Sequence, residues 1–204
     1  MSLLMVRHGE TALNVARVLQ PADTPLSETG RRQAALLAAR VAALRPAGIV
    51  SSPLPRALQT AEAIAAATGL PIARMDALQE RNFGDLRGRS YDGLGFDALR
   101  MDEAPPGGES AAEFRARVTS ALAELAAQQA RLDGPLVVVT HGLVLRVWLD
   151  GVLQLPEALA FSGPLGNTAL TVCTALPPHK VELVNCTAHL DERSAHQGSS
   201  LVGG

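Results

Sequence analysis

The stretch Leu3-Leu4-Met5-Val6-Arg7-His8-Gly9-Glu10-Thr11 constrains the fold more than any other. Four apolar residues end abruptly in a guanidinium, an imidazole and a glycine. A strand buried on both faces reads this way, with polar groups appearing where it leaves the sheet. The pattern returns at Leu136-Val137-Val138-Val139-Thr140, which runs into His141-Gly142. Helical stretches separate the short apolar runs, and the order reads β-α-β-α-β-loop-α-β-α-β-β. That order implies an α/β protein: a three-layer α/β/α sandwich whose central sheet is mostly parallel, with an antiparallel edge strand. In open sheets of this kind ligands bind at the carboxyl ends of the strands, where His8 and His141 fall.

Local signals fill in the elements. Ser27 is a plausible N-cap for a helix running to about Leu44, with Ala34, Leu37, Ala38, Val41 and Leu44 as its apolar stripe. Ile49-Val50 reads as a second short strand, leaving through Ser51-Ser52-Pro53. A helix from about Leu54 to Thr68 follows, with Leu58, Ala61, Ile64 and Ala65 on one face. Arg56 falls in its first turn, where a cation opposes the helix dipole unless an anion shares that end. Pro71 to Met75 reads as another strand. The glycine- and proline-rich segment from Leu78 to Gly108 reads as loop and short helix over one rim of a pocket. Ser110 and Glu113 form a capping box opening a helix that carries Phe114, Val118, Ala121, Leu122 and Leu125 inward. A helix from about Leu143 to Leu153 precedes an antiparallel pair, Leu170 to Leu176 and Val181 to Val184. Residues 194–204 read as a polar tail on a single domain spanning 1–204.

Composition narrows the classes of function. At 204 residues and 47% hydrophobic, the chain can bury one large core, and with aromatics at 3% that core is built from Ala, Leu and Val. A net charge of -2 leaves no basic footprint for nucleic acid. The run from Leu136 to Leu155 is interrupted by His141, Arg146 and Asp150 and does not read as a membrane span. The N-terminal apolar run is too short for a signal peptide, and Cys173 and Cys186 lack metal spacing, so a cytoplasmic protein with reduced thiols is expected. An exposed edge strand or the tail could support a homodimer.

The polar groups at the strand exits form a set: Arg7 and His8, Arg56, His141, with Glu80 in the irregular segment. Two guanidiniums can grip a phosphoryl dianion bidentately and stay charged. A neutral imidazole is a competent nucleophile near neutrality. A carboxylic acid with a raised pKa can protonate the leaving oxygen. Each residue alone has a plainer reading: His8 as a cap or core residue, Arg56 as a surface cation, Glu80 as a solvated carboxylate. His179, His189 and His196 end no parallel strand and read as structural or solvent-facing.

Read as motifs, the blocks resemble the histidine phosphatase superfamily, the phosphoglycerate mutase-like family. Arg7-His8-Gly9-Glu10-Thr11-Ala12-Leu13-Asn14 resembles its signature, and Thr24-Pro25-Leu26-Ser27-Glu28-Thr29-Gly30 with Gln33-Ala34 the next block. Ser51 to Ala61 resembles the block with the second arginine, and Leu78 to Gly84 the block with the acid. Pro106-Gly107-Gly108-Glu109-Ser110 and Val139-Thr140-His141-Gly142 complete the order. The resemblance implies that His8 is transiently phosphorylated and that Arg7, Arg56 and His141 form the phosphate pocket. It implies that Asn14 and the backbone at Gly142 add hydrogen bonds, that Gln20 faces the substrate and that Glu80 donates the proton, with no metal and no cofactor. A small phosphorylated metabolite is the expected partner.

The family divides by the phosphoryl acceptor: water gives a phosphatase, a second hydroxyl a phosphoglycerate mutase. The dedicated glycolytic mutases carry a longer, more basic insertion after the acid. Here Phe83 to Pro106 is short, which favours an open, wet site and hydrolysis, with the mutase as the alternative. Arg81, Arg87 and Arg89 are candidate grips for a second anionic group, or else simply a solvated loop face.

Overall fold

A computed structural model of the protein describes residues 1–191; the polar tail and His196 lie outside the described residues. Strands β1 (Ser2–Arg7), β2 (Gly48–Ser51), β3 (Ile72–Arg74), β4 (Leu136–Thr140), β5 (Leu170–Thr174) and β6 (Val181–Cys186) form one sheet in the order β3-β2-β4-β1-β5-β6. The β1–β4, β2–β4 and β2–β3 pairs are parallel, whereas β5 runs antiparallel to both β1 and β6. The antiparallel edge expected from sequence is therefore the β5–β6 hairpin. A short helix α1 (Ala12–Val15) follows the exit of β1.

Period-two alternation in the central strands builds two cores. Leu3 and Met5 of β1 and Leu136 and Val138 of β4 face helices α4 (Ala111–Gln129) and α5 (Gly142–Gly151). Leu4, Val6, Val137 and Val139 point the other way, against α2 (Glu28–Ala43) and α3 (Pro55–Thr68). A strand buried on both faces needs such an unbroken apolar run. Trp148 fills the first core without exposure and satisfies its indole N–H on the Val118 carbonyl at 2.7 Å. No helix among the described residues is long and apolar enough to cross a membrane.

The capping signals hold. The Ser27 hydroxyl accepts from the Gly30 N–H at 3.0 Å, and Ser110 and Glu113 close a reciprocal box. The buried face of α3 differs from the periodicity reading: it consists of Arg56, Ala57, Thr60, Ala61 and Ile64, with Leu58 and Ala65 half-buried. Arg56 and Thr60 share the buried face with the alanines because this end of α3 faces a polar site rather than the apolar core.

One close backbone approach fixes the strand exit. A Cβ on Gly30 would lie 2.0 Å from the Glu10 carbonyl oxygen, and one on Gly9 would lie 2.6 Å from the Gly30 oxygen. The loop after β1 thus lies directly on the first turn of α2. Gly30→Ala is expected to destabilise the protein by about 2–3 kcal/mol, as an overpacked backbone contact does. Gly93→Ala, with nothing within 4 Å of its added methyl, is expected to be nearly neutral. Urea unfolding of both variants checks the contrast.

Candidate active site

Parallel strands deliver their carboxyl ends to one edge of the sheet, and there the polar groups meet. Arg7 ends β1 and His8 follows it. Arg56 lies in the first turn of α3, and His141 is the N-cap of α5 directly after β4. The His8 and His141 rings stand 5.2 Å apart between centroids, tilted by 58°. A cavity of about 260 Å³ opens over them, lined by Arg7, His8, Asn14, Gln20, Arg56, Glu80 and Gly142 among others. His141 lies fully buried just behind this lining.

The hydrogen bonds assign the imidazole protons. His8 Nδ1 lies 2.7 Å from the Gly9 carbonyl oxygen, which can only accept, so Nδ1 carries the hydrogen and Nε2 presents its lone pair. His141 Nε2 lies 2.8 Å from the Ser52 hydroxyl, which itself accepts from the Leu54 N–H at 3.3 Å. With that hydroxyl donating to Nε2, the ring proton of His141 sits on Nδ1. Burial, reinforced by the charges of Arg56 and Arg7, holds both histidines well below the ordinary imidazole value, so both are neutral.

Three buried side-chain nitrogens have no hydrogen-bond partner among the described residues: Arg7 Nε, Arg56 Nε and His141 Nδ1. Unpartnered buried donors are costly, and three in one place constitute a demand for an acceptor, best met by an anion. Arg7 is otherwise fixed by donating to the Leu165 carbonyl, and Arg56 donates to the Pro21 carbonyl at 3.3 Å. Arg56 is only 2% exposed, and burial, opposed by Glu80 and aided by Arg87 and Arg7, brings its guanidinium down to about 10. It remains a cation at neutral pH. Neither α3 nor α5 has a side-chain cap, so the positive ends of both helices are open where the guanidiniums converge.

Glu80 reaches the same space from the rim. Its two oxygens accept from the Arg81 N–H at 3.0 Å and the Leu143 N–H at 3.1 Å. Burial raises its pKa, outweighing those hydrogen bonds and the nearby charges of Arg56 and Arg7. A frame built on buried Arg81 and half-buried Glu109 and Arg117 holds its chain segment. Arg81 donates to the carbonyls of Met101 (2.8 Å), Glu103 (3.2 Å) and Glu109 (3.3 Å). Arg117 donates to Ala77 (2.8 Å) and Gln79 (3.0 Å) and pairs with Glu109 at 2.5 Å. Arg81 is therefore a strut of the rim rather than a free grip, and Arg89 is exposed outside the cavity lining. Of the three candidate arginines, Arg87 lines the cavity with no side-chain hydrogen bond or ion pair among the described residues.

Asn14 and Gln20 are oriented by Thr11. The Thr11 N–H donates to Asn14 Oδ1 at 3.2 Å, and the Thr11 hydroxyl lies 2.8 Å from Gln20 Oε1. Both amide oxygens are thereby occupied, which leaves both NH2 groups for the cavity. Several contributors escaped the sequence reading. Ser52 ends the exit of β2, and the strand-exit rule applied there would have singled it out. Asn167 donates to the His8 carbonyl at 3.1 Å and to Asn14 Oδ1 at 3.3 Å. It precedes β5, and the start of an antiparallel strand lies at the same edge as the ends of its parallel neighbours. Tyr91 lines the cavity from the irregular rim, where no periodicity marks it. His179 and His189 are structural, as expected: His179 Nδ1 lies 3.3 Å from the Thr174 carbonyl oxygen, and His189 bridges Arg40 (3.3 Å) and the Thr168 hydroxyl (3.0 Å).

Comparison with known proteins gives consistent neighbours. The family model of the histidine phosphatase superfamily (branch 1) matches residues 3–186. Glucosyl-3-phosphoglycerate phosphatase of Mycobacterium tuberculosis (strain ATCC 25618 / H37Rv) is 36% identical over 185 residues, 83% of each protein. A probable phosphoglycerate mutase, GpmB, of Yersinia pestis (strain Pestoides F) is 38% identical over 170 residues, 76% of each. The solved structure of a mycobacterial glucosyl-3-phosphoglycerate phosphatase with VO3 superposes with a TM-score of 0.73 at 36% identity, covering 85% of this chain and 90% of that one.

Proposed function

This chain belongs to the histidine phosphatase superfamily, branch 1, and is a phosphatase of that type; from that membership we propose that His8 takes the phosphoryl group of a small phosphomonoester. The observation that carries the residue assignment is the trio of unpartnered buried donors, Arg7 Nε, Arg56 Nε and His141 Nδ1, on residues gathered at the cavity that His8 lines. In the first step His8 Nε2 bonds to phosphorus as the bond to the ester oxygen breaks, and protonated Glu80 gives that oxygen its proton. In the second step the Glu80 carboxylate takes a proton from water, whose oxygen attacks phosphorus, and the bond to His8 breaks to release inorganic phosphate. Arg7, Arg56 and the neutral His141 Nδ1–H hold the equatorial oxygens, with the amide NH2 groups of Asn14 and Gln20 beside them. No metal takes part in this scheme.

Two further observations bear on the acceptor and the substrate. The rim after Glu80 is short and the cavity opens to solvent, so water reaches the phosphohistidine, which supports hydrolysis over transfer to a second hydroxyl. The matched relatives named for glucosyl-3-phosphoglycerate support a phosphorylated sugar derivative as the substrate class. Rapid quenching of the enzyme with a phosphoryl-labelled ester, chelator present, is expected to trap label that is stable in alkali and lost in acid, as a phosphoramidate is. Turnover without any such species would sink the covalent scheme.

A further inference from the structure

A neutral imidazole has one proton to give, and what its other nitrogen meets decides which nitrogen carries it. For His141 that partner is Ser52, a residue with no exposure of its own and outside the cavity lining. The 2.8 Å contact between His141 Nε2 and the Ser52 hydroxyl is the one hydrogen bond of this ring among the described residues. His141 caps α5 by position alone, because its side chain makes no capping bond. The single polar restraint on the ring is therefore the Ser52 hydroxyl.

The direction of that bond follows from counting donors and acceptors. Ser52 Oγ accepts from the Leu54 N–H at 3.3 Å and has one other partner, His141. With the ring proton on Nε2, Oγ would accept twice, and its own buried hydrogen would have no acceptor among the described residues. With the hydroxyl donating to Nε2, every hydrogen of the pair is used except Nδ1–H, which is left for a ligand. The sheet places both partners. The Ser52 N–H donates to the Val139 carbonyl at 2.9 Å, and the Ser52 carbonyl accepts from the Ser51 hydroxyl at 2.9 Å. The exit of β2 is thereby tied to β4 two residues before His141, which sets the hydroxyl against the ring.

We propose that Ser52 is a positioning residue for phosphoryl transfer: its hydroxyl holds His141 in the Nδ1–H tautomer, so that the ring presents a proton and not a lone pair to the phosphoryl oxygens. This rests on the phosphatase reading above and adds to it the residue that makes His141 a donor. Ser52 acts only through the ring. Without the hydroxyl, Nε2 is free to take the proton, and a bare Nδ1 repels the anion that the site is built to hold.

Heteronuclear NMR of protein labelled at its histidine ring nitrogens reads the tautomer, with the His141 signals identified by their loss in His141→Ala. The wild type is expected to show Nδ1 protonated and Nε2 bare, and Ser52→Ala to show protonated Nε2 gaining population. On 4-nitrophenyl phosphate, Ser52→Ala is expected to lose about tenfold in kcat/KM, the scale of one buried hydrogen bond, with vanadate affinity falling alongside. Ser52→Cys, which keeps a weaker donor, is expected to lie between the two. In a His141→Ala background the further change Ser52→Ala is expected to cost less than about twofold, because no ring is left to orient. Equal losses in both backgrounds give Ser52 a purely structural role and overturn the inference. A wild type that turns over with the His141 proton on Nε2 overturns it too, and leaves the phosphatase reading intact. Where Ser52→Ala does not fold, the wild-type spectrum and Ser52→Cys carry the same decision. Absence of phosphate release by the wild type overturns the phosphatase reading, and this inference with it.

Discussion

His8→Ala is expected to lower phosphate release from 4-nitrophenyl phosphate by roughly four orders of magnitude or more, the scale on which removing a covalent nucleophile acts. The size follows from what remains. The guanidiniums of Arg7 and Arg56 and the Nδ1–H of His141 still bind the ester, so the variant is expected to bind vanadate or phosphate while releasing no product. It is also expected to accumulate no acid-labile phosphoenzyme on quenching. Folding is not at stake in the same way. The His8 ring makes one hydrogen bond, to its neighbour Gly9, whereas its backbone N–H and carbonyl, bonded to Thr140 and to Thr168 and Asn167, survive the substitution. Circular dichroism and anion binding report that the site persists. Turnover within tenfold of the wild type would remove His8 from the role of nucleophile.

That separation of binding from chemistry reflects how the edge is built. The sheet supplies three strand exits: β1 places Arg7 and His8 there, β2 leads into Arg56 on α3, and β4 leads into His141. The rim supplies Glu80 through the Arg81–Glu109–Arg117 frame. The acid is therefore held by interactions independent of those that hold the nucleophile. Mutations of the frame are accordingly expected to act on proton transfer before they act on phosphate binding.

The sequence announced the strands, the caps and the strand-exit residues because each rests on local physics: unbroken apolar runs, a hydroxyl three residues before its amide, and a polar residue where a parallel strand ends. The inward face of α3 was legible only in part: Ala61 and Ile64 are buried as periodicity has them, Leu58 and Ala65 are half-buried, and Arg56, expected at the phosphate pocket from its place in the first turn, is buried with Thr60 because a polar site, not an apolar core, lies beneath them. Asn167 and Tyr91 were invisible for a different reason. Their positions depend on which strand runs antiparallel and on how the rim from 84 to 108 folds back over segment 17–19, neither of which is encoded in spacing. Arg81 and Arg87, six residues apart in one irregular segment, could not be told apart until the carbonyls that take up Arg81 were known.

Glu80→Gln carries the second large effect and the pH dependence. The amide keeps the shape and can still accept from the Leu143 or Arg81 N–H, but it has no proton to give. For an alkyl phosphate, whose leaving oxygen is strongly basic, the loss is expected to be about 10²- to 10⁴-fold in kcat. For 4-nitrophenyl phosphate, whose leaving group needs little protonation, the first step is expected to slow much less. The wild-type profile then has two limbs of known sign. On the alkaline side activity falls as Glu80 loses its proton, and burial places that loss above the ordinary carboxylate range, further raised by the charge of a bound phosphoryl group. On the acid side activity falls only when His8 gains a proton, and burial with the charges of Arg56 and Arg7 moves that well below the ordinary imidazole value. With an alkyl ester the optimum is expected on the acid side of neutrality, and Glu80→Gln is expected to flatten the alkaline limb while leaving the acid limb in place. Equal losses on alkyl and aryl esters, with the alkaline limb intact, would assign the proton to another group.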